Sequence, residues 1–227
     1  MKLFLSPLKT ATFFAPLVVL LYLIPRGRNY AGDGAAWTLF GGVCVLVLFA
    51  FAALHWPGLN QLGASFSAWM NSATLTALSV AVALGVLTAA SSILNQHNNP
   101  YYQAYDVFLF TNGQDVPWTD TNGDPYVMVS AGQDATSMTM TVLLHIAFFF
   151  VAAFAGVALG LAYTTFGAGR ALAGGFVTFA LTVALYWAVE SNVGNSYTAA
   201  APGLLTACLV TLGVSAAVIS RTKRFVP

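Results

Sequence analysis

The sequence predicts an all-α polytopic membrane protein with six transmembrane helices and both the N- and C-termini cytosolic. Three observations carry this reading. Only eight Lys or Arg and seven Asp or Glu occur in 227 residues, 7% of the chain, against about 25% in ordinary soluble domains. The apolar residues, 58% of the total, gather in six runs close to the roughly 20 residues that cross a bilayer. The few bases are also distributed unevenly among the segments that join those runs. Charge this scarce excludes a soluble enzyme, a nucleic-acid binder and a disordered chain.

The runs cover about residues 5–25, 36–56, 72–94, 137–163, 171–189 and 202–219, and together make residues 1–227 a single transmembrane domain. Lys9, near the start of the first, is the only acid or base inside any of them. Lipid offers no partner to a backbone N–H or C=O, so each run is expected to be helical. None alternates with the period of two that a barrel strand needs. Pro16 is expected to kink the first span. Lys2 and Lys9 ahead of an apolar run also suit a signal peptide, but no small-residue cleavage site precedes Arg26, so the run is expected to stay as a first helix. The last two runs are short, and their ends are set least firmly.

Placing the N-terminus inside puts Lys2, Lys9, Arg170, Arg221, Lys223 and Arg224 in cytosolic segments and only Arg26 and Arg28 outside. The positive-inside rule favours that arrangement. Asp33, Asp106, Asp115, Asp120, Asp124, Asp134 and Glu190 then all fall outside. The expected location is the cell (plasma) membrane, as a multi-pass protein.

Two connecting segments stand out. Residues 95–136 form a long extracytosolic loop holding Tyr101, Tyr102, Tyr105, Phe108, Phe110, Trp118 and Tyr126 among five acids. Such a loop reads as an outer cap, a gate or a partner surface. Within it, Asp120, Asn122 and Asp124 have the spacing of calcium ligands. Pro125 replaces the glycine of an EF-hand loop and Ala131 its closing Glu, and a tight Asp/Asn/Gly turn explains the same letters. Residues 57–71 form an uncharged cytosolic linker. Trp56, Leu59, Leu62, Phe66 and Trp69 recur every three or four positions, one face of a helix, which Asn60 or Ser65 would cap. The linker reads as an interfacial helix or as a docking helix for a cytosolic partner.

Few groups suit catalysis. The chain has no Gly-rich Lys-Ser/Thr phosphate loop, dinucleotide fingerprint or metal cluster. It is expected to be no enzyme and to hold no cofactor. Cys44 and Cys208 read as packing residues within spans. Of the three histidines, His55 stands at a span end and His97 in the long loop, while His145 lies within the fourth span. There it makes a structural hydrogen bond, lines a cavity or moves a proton. Ser65 invites comparison with intramembrane serine proteases, but His145 is expected at a different depth, and that chemistry needs a base beside the serine. Ala152, Gly156 and Gly160 repeat every four residues and predict close helix packing, within the chain or between protomers.

Residues 61–70, Gln-Leu-Gly-Ala-Ser-Phe-Ser-Ala-Trp-Met, resemble the Leu-Gly-x-(Ser/Thr)-Arg-Arg stretch ahead of the third helix in small six-helix permease subunits of the type-2 ABC exporter superfamily. Residues 154–170 resemble the Gly-x-x-x-Gly helix and basic turn of the same family. Phe66 and Ser67 stand where that family has an arginine pair, and the long outer loop follows the third span rather than the fifth. The resemblance implies a permease subunit of an ABC-type exporter working with a separate cytosolic ATPase subunit, which alone would bind ATP. That subunit would dock on Leu62, Gly63 and Phe66 and on residues 1–9. A second permease subunit, identical or not, would complete the transporter. Lipid is the other partner, and no nucleic acid is expected. His145 and Tyr186 are the polar side chains expected along the substrate pathway. Two other readings compete. One is a non-catalytic accessory subunit of a larger membrane complex that uses the outer loop as its contact surface. The other is a channel, a secondary carrier or an importer component, a reading weakened because only His145 offers a midplane ionisable group.

Overall fold

The computed structural model describes residues 2–6, 34–98, 107–110, 134–193 and 200–222. Most of the expected first span and the residues Asp120, Asn122 and Asp124 lie outside these. All regular structure among the described residues is helical: α1 (Lys2–Leu5), α2 (Gly34–Ala53), α3 (Trp56–Gln61), α4 (Phe66–Asn98), α5 (Ala135–Phe166), α6 (Ala168–Val193) and α7 (Ala200–Thr222). Five stretches are long and apolar enough to cross a membrane: Ala35–Gln61, Phe66–Asn95, Ala135–Phe166, Ala168–Val189 and Gly203–Thr222. The architecture is that of a membrane-embedded helix bundle.

The helices run past the apolar runs that predict them. α4 has 33 residues and α5 has 32, about 50 Å each at 1.5 Å per residue, against a hydrocarbon layer of about 30 Å. Their polar ends, such as Ser91 to Asn98, still pair their backbone groups within the helix. Hydropathy stops where lipid stops, whereas the hydrogen-bond ladder continues. At the start of α5, Asp134 is the cap: Oδ1 accepts from the Ser137 N–H at 2.8 Å, and the Ser137 hydroxyl donates to Oδ2 at 2.8 Å. A carboxylate also suits the positive end of a helix.

Both short turns depend on glycine. The expected single amphipathic linker helix is divided at Gly63, whose φ is +87°, a conformation glycine adopts freely. Gly63 N–H donates to the Asn60 carbonyl at 2.9 Å and Ala64 N–H to the Leu59 carbonyl at 3.0 Å, the paired bonds of a Schellman helix end. Ser65 then caps α4, its Oγ accepting from the Ala68 N–H at 3.3 Å. Residues 66–71, assigned to the linker from sequence, are therefore the first turns of α4. Between α5 and α6 a single residue, Gly167 at φ +84°, makes the whole reversal.

α5 is the central helix, packed on α2, α4, α6 and α7. Half of its spanning window is buried, compared with 0% for α6. α2 and α5 run parallel, because Gly42 lies against Phe148, Gly156 against Leu46 and Phe49, and Gly160 against Ala50 and Ala53. A Cβ on Gly156 would overlap the Leu46 carbonyl oxygen and stand 2.9 Å from the Phe49 Cβ. One on Gly160 would overlap the Ala50 carbonyl and stand 2.7 Å from the Ala53 Cβ. Ala152, 9% exposed, completes the row. α4 meets α5 closely at Gly85, where a Cβ would come within 2.8 Å of the Ile146 Cα. Lipid tails are as apolar as the side chains, so helices in a bilayer associate through packing this close rather than through escape from water.

α1 defines one end of the bundle. Phe4 is buried against Phe49 at 5.2 Å and Trp69 at 5.5 Å, and its N–H donates to the Ser72 hydroxyl at 3.0 Å. α2, α5 and α7 end on this side, while α4 and α6 begin there. Valine at position 156 or 160 is expected to lower stability by at least about 1–3 kcal/mol, the usual cost of overpacking. Thermal unfolding of the detergent-purified chain measures it. Valine at Gly174, which has open space around its Cβ position, is the matched control and should leave the midpoint within a degree or two of wild type.

Candidate functional site

Three places hold the residues that sequence reasoning singled out, together with several that it missed. The first is the elbow at the α1 end, where α3 turns into α4. Trp56, Phe66 and Trp69 come together there, with ring centroids 5.3 Å apart for Trp56–Phe66, 5.0 Å for Trp56–Trp69 and 5.9 Å for Phe66–Trp69. Both tryptophans are buried, and neither indole N–H has a hydrogen-bond partner among the described residues. The cluster is thus held by ring packing. Leu62, beyond it, is 85% exposed, and Gly63 and Ser65 are exposed beside it. The three expected docking residues therefore divide: Leu62 and Gly63 project, whereas Phe66 is half-buried against the aromatic cluster.

The second place is the α4–α5 interface at the opposite end. Toward the α1 end from Gly85 and Ile146 the buried residues are mostly apolar, with Ala73, Ala77 and Ala81 on α4 and Phe149, Ala153 and Val157 on α5, while the buried hydroxyls of Ser72 and Thr76 bond Phe4 and the α4 backbone. Beyond that level the same helix faces carry Thr88, Ser92 and Asn95 on α4 and Ser137, Thr141 and His145 on α5, all buried. Thr38 of α2 is buried at a similar height. His145 Nδ1 lies 2.8 Å from the Thr141 carbonyl. A carbonyl only accepts, so the Nδ1–H donates and Nε2 carries the lone pair in the neutral ring. Val107 to Phe110, part of the long connection between α4 and α5, reaches back onto this region. Phe108 is fully buried, its ring 5.5 Å from His145 and 4.9 Å from Phe148, and the Phe110 N–H donates to Thr141 Oγ1 at 3.0 Å. Leu109 is buried as well. The loop thus supplies a plug to the helix bundle.

The third place is a cleft of about 790 Å³ between α2, α5, α6 and α7, within the size range of small-molecule sites. Its walls include Leu46, Ala155, Leu159, Phe176 and Phe179. Arg170 is its one charged residue and stands at the α1 end, in the first turn of α6. Deeper inside lie Thr178, Thr182, Thr211 and Ser215. Thr182 and Thr211 are hydrogen-bonded across α6 and α7 at 3.2 Å. Thr178 donates to the Gly174 carbonyl at 2.8 Å and Ser215 to the Thr211 carbonyl at 2.7 Å. The Thr182–Thr211 bond fastens the two apolar helices together, Thr178 and Ser215 bond within their own helices, and all four leave oxygen lone pairs on the cleft wall.

His145 and Tyr186, expected on one substrate pathway, are not brought together. His145 is enclosed by α4, α5 and the plug. Tyr186 packs at Gly203 on the α6–α7 contact, where a Cβ would meet its ring at 2.9 Å. Neither lines the large cleft. Ser65 and the level of His145, marked by Gly85, are 20 residues apart on α4, about 30 Å along a helix, so they form no catalytic pair. Cys44 and Cys208 are free thiols. Among the described residues no three His, Cys, Asp or Glu side chains converge as metal ligands do. The cleft hydroxyls left a signal in the sequence: Thr178 with Thr182, and Thr211 with Ser215, each four apart on otherwise apolar spans. No family model, curated protein or solved structure matches the chain.

Replacing Phe108 with Ala removes the plug ring and is expected to cost about 3 kcal/mol or more, as for other buried phenylalanines. Unfolding of the purified variant should shift down by several degrees, and limited proteolysis between α4 and α5 should speed up. Unchanged values on both counts would contradict the plug.

Proposed function

We propose that the chain is a permease-type subunit with six spans and cytosolic termini in the cell membrane, driven by a separate ATPase subunit that docks on the elbow. The single observation that carries this reading is the elbow itself. An apolar tip, Leu62 with Gly63, projects from the end of the bundle on a braced aromatic base. A connection serving only to reverse the chain needs no such bracing, and Gly167 reverses α5 into α6 alone. Phe66 acts as part of the brace.

The placement of charge supports the orientation. Lys2, Arg170 and Arg221 are the described bases, and all three stand at the α1 end, which favours a cytosolic α1 end under the positive-inside rule. Ser6 and Gly34 lie at opposite ends of the bundle with 27 residues between them, enough for one further crossing. In this reading ATP-driven movement of the partner pushes on Leu62, and α4 transmits the displacement to α5. The α6–α7 hairpin, whose α6 is the least buried of the candidate spans, then shifts relative to α2 and α5 and changes the cleft between them. A second copy or a related permease subunit faces it.

Two measurements test this. In a variant lacking Cys44 and Cys208, Leu62→Cys should react with a membrane-impermeant maleimide in inside-out vesicles and not in intact cells; the reverse pattern would overturn the orientation. The tagged chain solubilised from its native membranes should carry a nucleotide-hydrolysing subunit. Leu62→Asp should reduce its recovery about tenfold, with the unfolding midpoint unchanged. Equal recovery from both proteins, or recovery of membrane partners with no ATPase, would contradict the docking role.

A further inference from the structure

The chemistry of the cleft between α2, α5, α6 and α7 specifies what it can hold, whether or not the chain transports anything. Its walls are aliphatic and aromatic: Leu46 from α2, Ala155 and Leu159 from α5, Phe176 and Phe179 from α6, Val214 from α7. Such walls suit hydrocarbon. No acid lies among the lining residues, and the one charge is Arg170. That residue is exposed at the α1 end of the bundle and is the third residue of the apolar stretch Ala168–Val189. Long basic side chains so placed reach lipid headgroups readily. The first turn of α6 begins at Ala168, directly after Gly167, and a Cβ on Gly167 or Gly169 would meet nothing within 4 Å. Ala168, Gly169 and Arg170 are all exposed, so the first N–H groups of that turn are open to a ligand beside Arg170.

We propose that this cleft binds one molecule of an anionic phospholipid, with its phosphate at Arg170 and the first turn of α6 and an acyl chain along the α5–α6 groove. Basic pockets between transmembrane helices are a recurrent way of holding such headgroups. The two ends of the site act differently. Arg170 distinguishes a net negative headgroup from a zwitterionic one, and the apolar groove distinguishes a lipid from a free phosphate ester. Bound lipid would fill the space left where α6 packs loosely on α5.

The test uses the full chain purified in detergent and mixed with equal amounts of phosphatidylglycerol and phosphatidylcholine, with retained lipid counted by native mass spectrometry. Wild type should retain phosphatidylglycerol in preference to phosphatidylcholine. Arg170→Ala should lower that retention about fivefold, the effect of one basic residue near an anionic surface. Arg170→Lys should keep most of it, and Arg221→Ala, outside the cleft, should change nothing. Filling the groove by Ala155→Phe or Ala162→Phe, whichever elutes as wild type, should lower retention with Arg170 intact. Equal retention of the two lipids would overturn the proposal, as would retention that survives both Arg170→Ala and groove filling. Loss in Arg170→Ala with no effect of groove filling would also overturn it, since the headgroup would then rest on the surface alone.

Discussion

The rest of the structure depends on the direct approach of two backbones, where α5 at Gly156 and Gly160 lies on the α2 carbonyls of Leu46 and Ala50. Helices in lipid gain little by hiding apolar surface from other apolar surface, so contact of this closeness is what fixes their positions. Gly85 of α4 makes a second such approach to α5 at Ile146. With α2 and α4 both held against α5, their joined ends bring Trp56 and Trp69 together, and the position of the elbow follows. The same geometry allots the faces of α5. Its small-residue stripe and its polar stripe are taken by α2 and α4. α6 is left with looser contact, for example Gly175 beside Leu159, where a Cβ would stand at an ordinary 3.4 Å. The cleft is the consequence.

The two ends of the bundle solve different problems. At the α1 end, aromatic rings fill the space where helices end, and the chain reverses outside them. At the opposite end α4 and α5 continue beyond the apolar layer, and their interface turns from alanine and valine to hydroxyls and His145. Buried polar groups need hydrogen bonds. There the helix backbone and the returning loop supply some of them, as Thr141 shows by bonding both His145 and Phe110. Phe108 then covers the imidazole. An intramembrane histidine is a functional site by default, yet here its surroundings are those of a sealed packing element.

Much of the fold was legible because the bilayer restricts the choice of structure. Scarce charge and apolar runs suffice to place the five described spanning helices, and the repeat of Ala152, Gly156 and Gly160 marks a packing face. Gly42 and Gly85 were not legible, since an isolated glycine on a span has no period to reveal it. The extension of α4 to Asn98 was hidden because polar residues continue a helix without any hydropathy signal. The burial of Phe108 and Leu109 was not legible, because composition reports polarity and not whether a loop folds back. At the elbow, the three-to-four spacing correctly grouped Trp56, Phe66 and Trp69. It missed the break at Gly63, where a positive φ turns one helix into two. The cleft was the least legible feature. It comes from the looser packing of α6 on α5, and the sequence encodes it only through four hydroxyl residues and Arg170.

The small-residue face of α5 is used inside the chain, against α2. The parallel register of Gly160 with Ala50 and Ala53 places Leu54 and Thr164 about one turn further along, side by side near the α1 end. The most direct measurement is cross-linking of a Leu54→Cys, Thr164→Cys variant lacking the native cysteines, with a short bifunctional thiol reagent in native membranes. A rapid cross-link within single chains is expected, read as a joined peptide pair at monomer mass. Cross-links found only between chains, or none while each cysteine still reacts singly, would contradict it.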